Sequence, residues 1–176
     1  RLQGILATQP EVEEIPEASD SPPLGGAIEA RRLTFAYDPN SPPVLQDVSF
    51  KVEPGQTLAI VGPTGCGKTT IVNLLLHLYP VPDGMLFYDG RDINEIPLAA
   101  LRRSIAYVSQ DVFLFSDTIR NNILFGAAGP DEIPDEAMTA AAARAQLSRD
   151  LAMLPDQYET EVGERGITLS GGQKQR

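Results

Sequence analysis

A single eight-residue pattern constrains the fold of this chain more than any other feature of its sequence. Residues 62–69 read Gly-Pro-Thr-Gly-Cys-Gly-Lys-Thr and fit the pattern G-x-x-x-x-G-K-[ST]. The apolar run at 57–61 comes directly before it and predicts a strand that is buried on both faces, as in a parallel sheet. After the pattern, apolar residues recur with helical spacing at Ile71, Leu74, Leu75 and Leu78. The pattern therefore lies between a predicted strand and a predicted helix, the context in which a glycine-rich loop holds phosphate.

The residue types of this phosphate loop, 62–69, suit that chemistry. Glycines let successive N–H groups point into one concavity, and the start of a helix adds about half a positive charge. Lys68 would neutralise the β- and γ-phosphates, the Thr69 hydroxyl would ligate Mg²⁺, and Thr70 could reach the α-phosphate. The alternative is a glycine-rich turn with an exposed lysine. The predicted nucleotide-binding residues of the loop are Gly62, Thr64, Gly65, Cys66, Gly67, Lys68, Thr69 and Thr70.

A second glycine pair stands at a second helix start. Ser170 and Gln173 have the S-x-x-Q spacing of a capping box. Capping alone does not explain Gly171 and Gly172, because each glycine costs roughly 1 kcal/mol against alanine in a helix. The exposed backbone of these two glycines predicts that a ligand approaches it closely. The alternative is that Ser170 and Gln173 only cap the helix.

These two motifs resemble those of the nucleotide-binding domain of an ABC transporter. Leu-Ser-Gly-Gly-Gln, ending at Gln173, is similar to the signature motif of that family, and the phosphate loop is similar to its Walker A motif. The separation of about a hundred residues also fits, and the resemblance covers nearly everything after residue 26. Tyr37 resembles the A-loop aromatic that stacks on adenine, Gln110 resembles the Q-loop glutamine, and 160–166, with Glu164, resembles the X-loop of exporters. The alternatives are a core or turn residue for Tyr37, an exposed strand-end amide for Gln110 and a solvated loop for 160–166.

The resemblance implies an α/β fold, with a P-loop NTPase (RecA-like) core, an antiparallel β subdomain and a helical subdomain. It assigns 1–26 to a helical tail and an acidic, proline-rich linker from an upstream membrane domain, 27–111 to the core and 112–176 to the helical subdomain. The family's Walker B aspartate, catalytic glutamate and switch histidine would follow Arg176. We therefore expect the fold to be incomplete at this end, and the chain alone to bind ATP weakly and to hydrolyse it negligibly. His77 is not expected to be catalytic.

The resemblance also implies a function and partners. ATP would lie between the Walker A loop of one domain and the signature of a second domain, with Ser170, Gly171, Gly172 and Gln173 contacting the partner's ATP. Lys68 and Gln110 are the predicted catalytic residues, and Thr69 and Gln110 the predicted Mg²⁺ ligands. Hydrolysis would power export through transmembrane domains of the same transporter, at the cytoplasmic face of the cell (inner) membrane.

Composition narrows the alternatives. The formal net charge of −10 argues against a nucleic-acid partner, the one cysteine excludes an internal disulfide, and no apolar run is long enough to span a bilayer. A soluble ABC-type ATPase, a regulatory module that never hydrolyses ATP and a small-molecule kinase remain open. The remaining patterns predict strands at 28–35, 48–52, 85–88 and 105–108, and helices at 118–125, 136–145 and 148–154.

Overall fold

The computed structural model describes residues 10–12, 14–16, 23–127, 133–163 and 169–176. The chain divides into two units, Arg1–Ala106 and Tyr107–Arg176, which we call the N-terminal and the C-terminal unit. Each unit has its own hydrophobic cluster. Of the predicted tail and linker at 1–26, residues 1–9, 13 and 17–22 lie outside the described residues.

An antiparallel sheet forms the framework of the N-terminal unit. Its strand order is β2-β1-β3-β4, and the strands are β1 (Ile28–Phe35), β2 (Leu45–Val52), β3 (Leu86–Tyr88) and β4 (Arg91–Asp92). The predicted strands at 28–35, 48–52 and 85–88 are therefore confirmed, with small changes at their ends. The sheet packs one face against the core that it shares with the helix after the phosphate loop.

A bulge in β1 decides which of its side chains enter the core. Ala30 pairs with Phe50 and Leu33 pairs with Val48, so β1 has one more residue than β2 between the two pairs. Arg32, at the bulge, has a φ of 47°. An extra residue moves the side chains that follow it to the other face of a strand. Ala30 and Leu33 are consequently both buried, although they are three residues apart.

The helix α1 (Lys68–Leu75) follows the phosphate loop and buries Ile71 and Leu74. It ends before the prolines at 80 and 82, and Leu78 is 49% exposed. The prediction that Leu78 belongs to the apolar face is wrong, because the helical spacing stops with the helix.

Two polar residues in and just after this helix, Thr70 and His77, are both buried. His77 has a φ of 49° just after the helix, and its carbonyl accepts a hydrogen bond of 3.3 Å from Arg102. Burial, and after it the charge of Arg102, lowers the pKa of His77. His77 is therefore a neutral, buried side chain at neutral pH.

Two strands that the sequence predicts are not formed. Residues 57–61 and 105–108 are in no strand, and Val61 and Val108 are 87% and 73% exposed. A strand needs at least one neighbouring strand to pair its backbone N–H and C=O groups. Within the described residues, no strand pairs with either segment, so these apolar residues do not form part of a sheet.

One helix and three very short strands escaped the sequence analysis. Helix α2 (Leu98–Ser104) buries Leu98 and Leu101, and Pro97 before it is a start signal that could have revealed it. A 3₁₀ turn precedes this helix at Ile93–Glu95. The two-residue strands are too short to show an alternating pattern.

The described part of the C-terminal unit is mainly helical. Its helices are α3 (Ile119–Leu124), α4 (Asp135–Arg144), α5 (Ser148–Leu151) and α6 (Gly171–Gln175). Short strands β5 (Asp117–Thr118) and β6 (Glu161–Val162) pair with each other, and a 3₁₀ turn lies at Gln157–Glu159. The predicted helices at 118–125 and 148–154 are present in shorter form, and the one predicted at 136–145 is present with its bounds shifted by one residue. The core of the unit comprises Ile119, Ala142, Leu147, Leu151 and Val162.

Tyr88 forms a hydrogen bond with the end of α1, and the contribution of this bond to stability can be measured. Its hydroxyl donates a 2.8 Å hydrogen bond to the carbonyl of Leu75, and burial raises its pKa. Replacing Tyr88→Phe leaves this carbonyl without its donor, so we expect the free energy of unfolding to fall by about 1 kcal/mol in urea titrations. Tyr107→Phe, at a 47% exposed tyrosine, is the control and should change it little. Equal effects of the two substitutions would contradict this account.

Candidate nucleotide-binding site

The phosphate loop is fixed to the sheet by a contact that only glycine permits. Gly67, directly before α1, has a φ of 92°, and a Cβ at this position would lie 2.7 Å from Leu45 Cδ2 and 3.2 Å from the carbonyl oxygen of Val44. Both the left-handed backbone and the missing space exclude a larger residue. The sequence therefore needs glycine here so that the start of α1 can press against the start of β2.

The loop leaves backbone donors free. Gly65 has a φ of 83°, and the N–H groups of Gly65 and Gly67 have no hydrogen-bond partner among the described residues. The amide of Cys66 makes a long 3.4 Å contact with the carbonyl of Pro63. Unpaired N–H groups at the start of a helix form a concavity that favours anions.

The lysine of the loop folds back over it. Lys68 Nζ donates to the carbonyl oxygens of Gly62 and Pro63 at 2.9 and 2.8 Å, and lies 3.7 Å from Cys66 Sγ. A Cβ on Gly62 would lie 2.7 Å from this sulfur, so this glycine also makes room for the loop. The arrangement holds a full positive charge next to the free N–H groups. This is the combination that binds a phosphate chain.

Tyr37 is connected to the same helix. Its hydroxyl lies 3.0 Å from the Thr70 hydroxyl, and its ring is 49% exposed. The ring stands edge-on to Phe35 and to Tyr79, each with centroids 5.0 Å away. Thr70 is buried, whereas Thr69 is exposed. The tyrosine is thus held in place by two rings and one hydrogen bond while part of its surface stays open, and its predicted contact with adenine stays a prediction.

Gln110 belongs to the C-terminal unit and is exposed. The turn that carries it is closed by Ser109, whose hydroxyl donates to the carbonyl of Asp111 at 2.5 Å. Its predicted roles in catalysis and Mg²⁺ binding stay predictions.

The capping box at the second glycine pair is confirmed. Ser170 Oγ accepts a hydrogen bond from the backbone N–H of Gln173 at 3.3 Å. Gln173 Oε1 accepts one from the backbone N–H of Ser170 at 2.9 Å. Gly171 and Gly172 are exposed, and a Cβ at either position would meet no described atom within 4 Å. Packing within the described chain therefore gives no reason for glycine at these two positions.

The sequence analysis missed one residue of this region. Asp150 of α5 accepts a 3.1 Å hydrogen bond from Gln173 Nε2 and pairs with Arg176. The hydrogen bond from Gln173 and then that from Arg176 lower the pKa of Asp150. Nothing in the sequence links residues 23 positions apart, so only the fold shows this contact.

The predicted X-loop is described only in its first part. Thr160 is buried, and Gly163, with a φ of 96°, lies so close to Ser116 that a Cβ would be 2.9 Å from Ser116 Cα. Glu164 lies outside the described residues. The predicted role of this loop stays a prediction.

The comparisons with known proteins identify the family. Residues 45–176 match the family described as ABC transporter. The chain belongs to this family. The resemblance inferred from the Walker A and signature motifs is confirmed, and so is the P-loop NTPase fold class.

Similar ABC proteins come from several kingdoms. The chain is 43% identical to the mitochondrial iron-sulfur clusters transporter ATM1 of Gibberella zeae, over 99% of the chain and 25% of that protein. It is 44% identical to human ATP-binding cassette sub-family B member 6, over 98% of the chain and 20% of that protein. It is 39% identical to the ATP-dependent lipid A-core flippase of Syntrophus aciditrophicus, over 100% of the chain and 28% of that protein.

A solved structure agrees with these relatives. The structure of a bacterial Atm1-family ABC exporter with ATP bound matches 97% of the chain and 29% of its own length, at 38% identity and a TM-score of 0.86. The chain thus spans about a quarter of the length of the relatives it matches. No helix in the described part of the ABC domain has the length and apolar character to cross a membrane.

The role of Gly67 can be measured against a second glycine. Gly55 also has a positive φ, 78°, but a Cβ there would meet no described atom within 4 Å. We expect Gly67→Ala to lower the free energy of unfolding by about 3 kcal/mol, since strain and overpacking add, and Gly55→Ala to lower it by about 1 kcal/mol. Chemical denaturation of both variants measures the difference. Equal losses would show that the contact with Leu45 has no effect.

Proposed function

We propose that this chain is the ATP-binding part of an ABC exporter, in which binding and hydrolysis of ATP drive transport across a membrane. The observation that carries the proposal is the pairing of two features in one chain. The phosphate loop places Lys68 beside free N–H groups, and the signature helix exposes Gly171 and Gly172 for no internal reason. The exporter relatives support the transport role.

Within one chain, the phosphate loop binds the triphosphate. The free N–H groups of Gly65 and Gly67 donate to phosphate oxygens, and Lys68 exchanges its carbonyl partners for the β- and γ-phosphates. Tyr37, fixed by Phe35 and Tyr79, offers its ring to the adenine.

We propose Thr69 and Gln110 as ligands of Mg²⁺. The exposed hydroxyl of Thr69 and the exposed amide of Gln110 are oxygen ligands of the kind this ion takes. The ion, when bound, would neutralise charge on the phosphates. Among the described residues, no cluster of acidic, histidine or cysteine side chains forms a metal site without a nucleotide.

A second ABC domain completes the proposed site. The signature of the partner, with Ser170, Gly171, Gly172 and Gln173, would contact the γ-phosphate held by the phosphate loop. Each charge-assisted contact is worth about 1.5–3 kcal/mol, so two of the weaker ones already shift the open–closed equilibrium of the pair by roughly 10². Hydrolysis removes the γ-phosphate and so reopens the pair, which transmembrane domains of the same transporter would convert into export.

We further propose that the 176-residue chain alone hydrolyses ATP at a negligible rate. Within the described residues, no carboxylate contacts Lys68 or the loop backbone, so no group is placed to activate water. Binding of ATP uses the phosphate loop and Tyr37, which this chain contains, and is therefore retained in weak form.

The proposed location is the cytoplasmic face of the inner (cell) membrane, in an integral membrane transporter. The flippase and exporter relatives support a membrane transporter, and one relative, the ATM1 transporter, is named as mitochondrial. The names of the relatives mention iron-sulfur clusters in one case and lipid A in another, so the proposal stops at an exporter without a named cargo.

Nucleotide binding tests the phosphate loop directly. We expect Lys68→Ala to weaken binding of a fluorescent ATP analogue by tenfold or more, because it removes the only full charge that contacts the loop in the described structure. Tyr37→Ala should weaken it about fivefold, the loss of a stacking contact of about 1 kcal/mol. Lys51→Ala, at an exposed lysine on β2, is the matched control. Unchanged binding in Lys68→Ala would show that the loop assignment is wrong.

A substitution in the signature should affect protein stability and ATPase activity in opposite directions. Gly172→Ala removes a glycine from a helix and adds a methyl group in open space, so we expect the free energy of unfolding to rise by about 0.5 kcal/mol. In the natural gene product that carries this chain, the same substitution should lower ATPase activity about tenfold, because the methyl group blocks the partner's phosphate. A stabilised protein with full ATPase activity would refute the role of this glycine.

A further inference from the structure

A carboxylate from another helix holds the signature glutamine. Asp150, in α5, accepts a 3.1 Å hydrogen bond from Gln173 Nε2 with one oxygen and a charged hydrogen bond from Arg176 with the other. The Asp150 side chain is only 13% exposed. A nearly buried carboxylate therefore has both oxygens engaged, and both partners belong to the signature region.

The two ends of the Gln173 amide have different tasks. Its Oε1 accepts from the Ser170 amide at 2.9 Å, which closes the capping box, and its Nε2 donates to Asp150. A flipped amide would set Nε2 against the Ser170 N–H and Oε1 against a carboxylate, so that both contacts would be repulsive. Asp150 thus fixes the amide in the one orientation that closes the cap.

The charge on Asp150 is maintained by the same contacts. Its pKa is lowered first by the hydrogen bond from Gln173 and then by that from Arg176. The group remains ionised at neutral pH, and it can only accept hydrogen bonds in that state.

We propose that Asp150 is a positioning residue for the signature: by orienting Gln173 it sets the direction of α6 and the outward presentation of Gly171 and Gly172 to the partner's ATP. This inference rests on the proposed function and adds a residue to it. Asp150 does not touch the nucleotide. It acts through Gln173, which closes the box that begins the helix.

The proposal gives a physical reason for glutamine rather than glutamate at position 173. A glutamate carboxylate would still accept from the Ser170 amide, so the capping box itself tolerates it. It would, however, lie against the Asp150 carboxylate at hydrogen-bond distance with no proton between them. The repulsion would turn the side chain or the helix away.

The test exchanges donor and acceptor between the two positions. Gln173→Glu, Asp150→Asn and the double variant are prepared in the natural gene product that carries this chain, reconstituted in liposomes. Gln173→Glu should lower ATPase kcat about tenfold, a factor that corresponds to roughly 1.4 kcal/mol. Asp150→Asn keeps an acceptor for Gln173 and should stay within about twofold of the unsubstituted protein. In the double variant the asparagine amide donates to the glutamate, and kcat should recover at least fivefold over Gln173→Glu.

Two further measurements separate positioning from stability. Binding of ADP, which lacks the γ-phosphate that the signature would contact, should be equal in all variants, because the phosphate loop does not include these residues. Asp156→Asn makes the same chemical change at an exposed aspartate of the C-terminal unit and should leave kcat unchanged. Should Gln173→Glu fail to fold, Asp150→Ala replaces it: kcat should fall about fivefold, and Asp150→Asn should restore it.

The outcomes are distinct. Full activity of Gln173→Glu, or a double variant no more active than Gln173→Glu, would overturn the inference alone. In the fallback series, equal kcat in Asp150→Ala and Asp150→Asn would overturn it. Absence of ATPase activity that depends on Lys68 in the unsubstituted protein would overturn the proposed function and the inference with it.

Discussion

The contact of Gly67 with the start of β2 is the constraint on which the nucleotide site depends. The backbone of Gly67 lies so close to Leu45 and to the Val44 carbonyl that no side chain fits between them. Val44 in turn donates to the carbonyl of Phe35 at 2.7 Å, where β1 ends. The loop that would bind phosphate and the strand end that precedes Tyr37 are therefore fixed to the same point of the sheet.

Through this arrangement, the antiparallel sheet also positions Tyr37 relative to the helix that follows the phosphate loop. The edge-on contacts of Tyr37 with Phe35 and Tyr79, and its hydrogen bond to Thr70, join the end of β1 to helix α1. A base and its phosphates lie at opposite ends of a nucleotide, so a site for both needs two parts with a fixed separation. One core, with β1 and α1 on either side, provides that separation.

How much of the molecule could be predicted depends on how local each interaction is. The phosphate loop and the capping box at Ser170 are patterns within eight residues, and the residues themselves dictate their geometry. The strand predicted at 57–61 failed because a strand exists only with its neighbours, and in the described chain those neighbours are lacking. The sequence could not show Asp150, because nothing marks an aspartate as the partner of an amide in another helix. The burial of His77 could not be predicted for a different reason: helical periodicity does not show where a helix ends.

The glycines and the glutamine of the signature have opposite effects on the order of α6. Two glycines in the first turn of a five-residue helix cost it roughly 1 kcal/mol each, and they make no compensating contact within the described chain. So short a helix does not form by its own propensity. The capping box supplies two hydrogen bonds at its start, and Asp150 ties the box to α5. The two glycines can stay bare because the hydrogen bonds of Ser170, Gln173 and Asp150 supply the order that they remove.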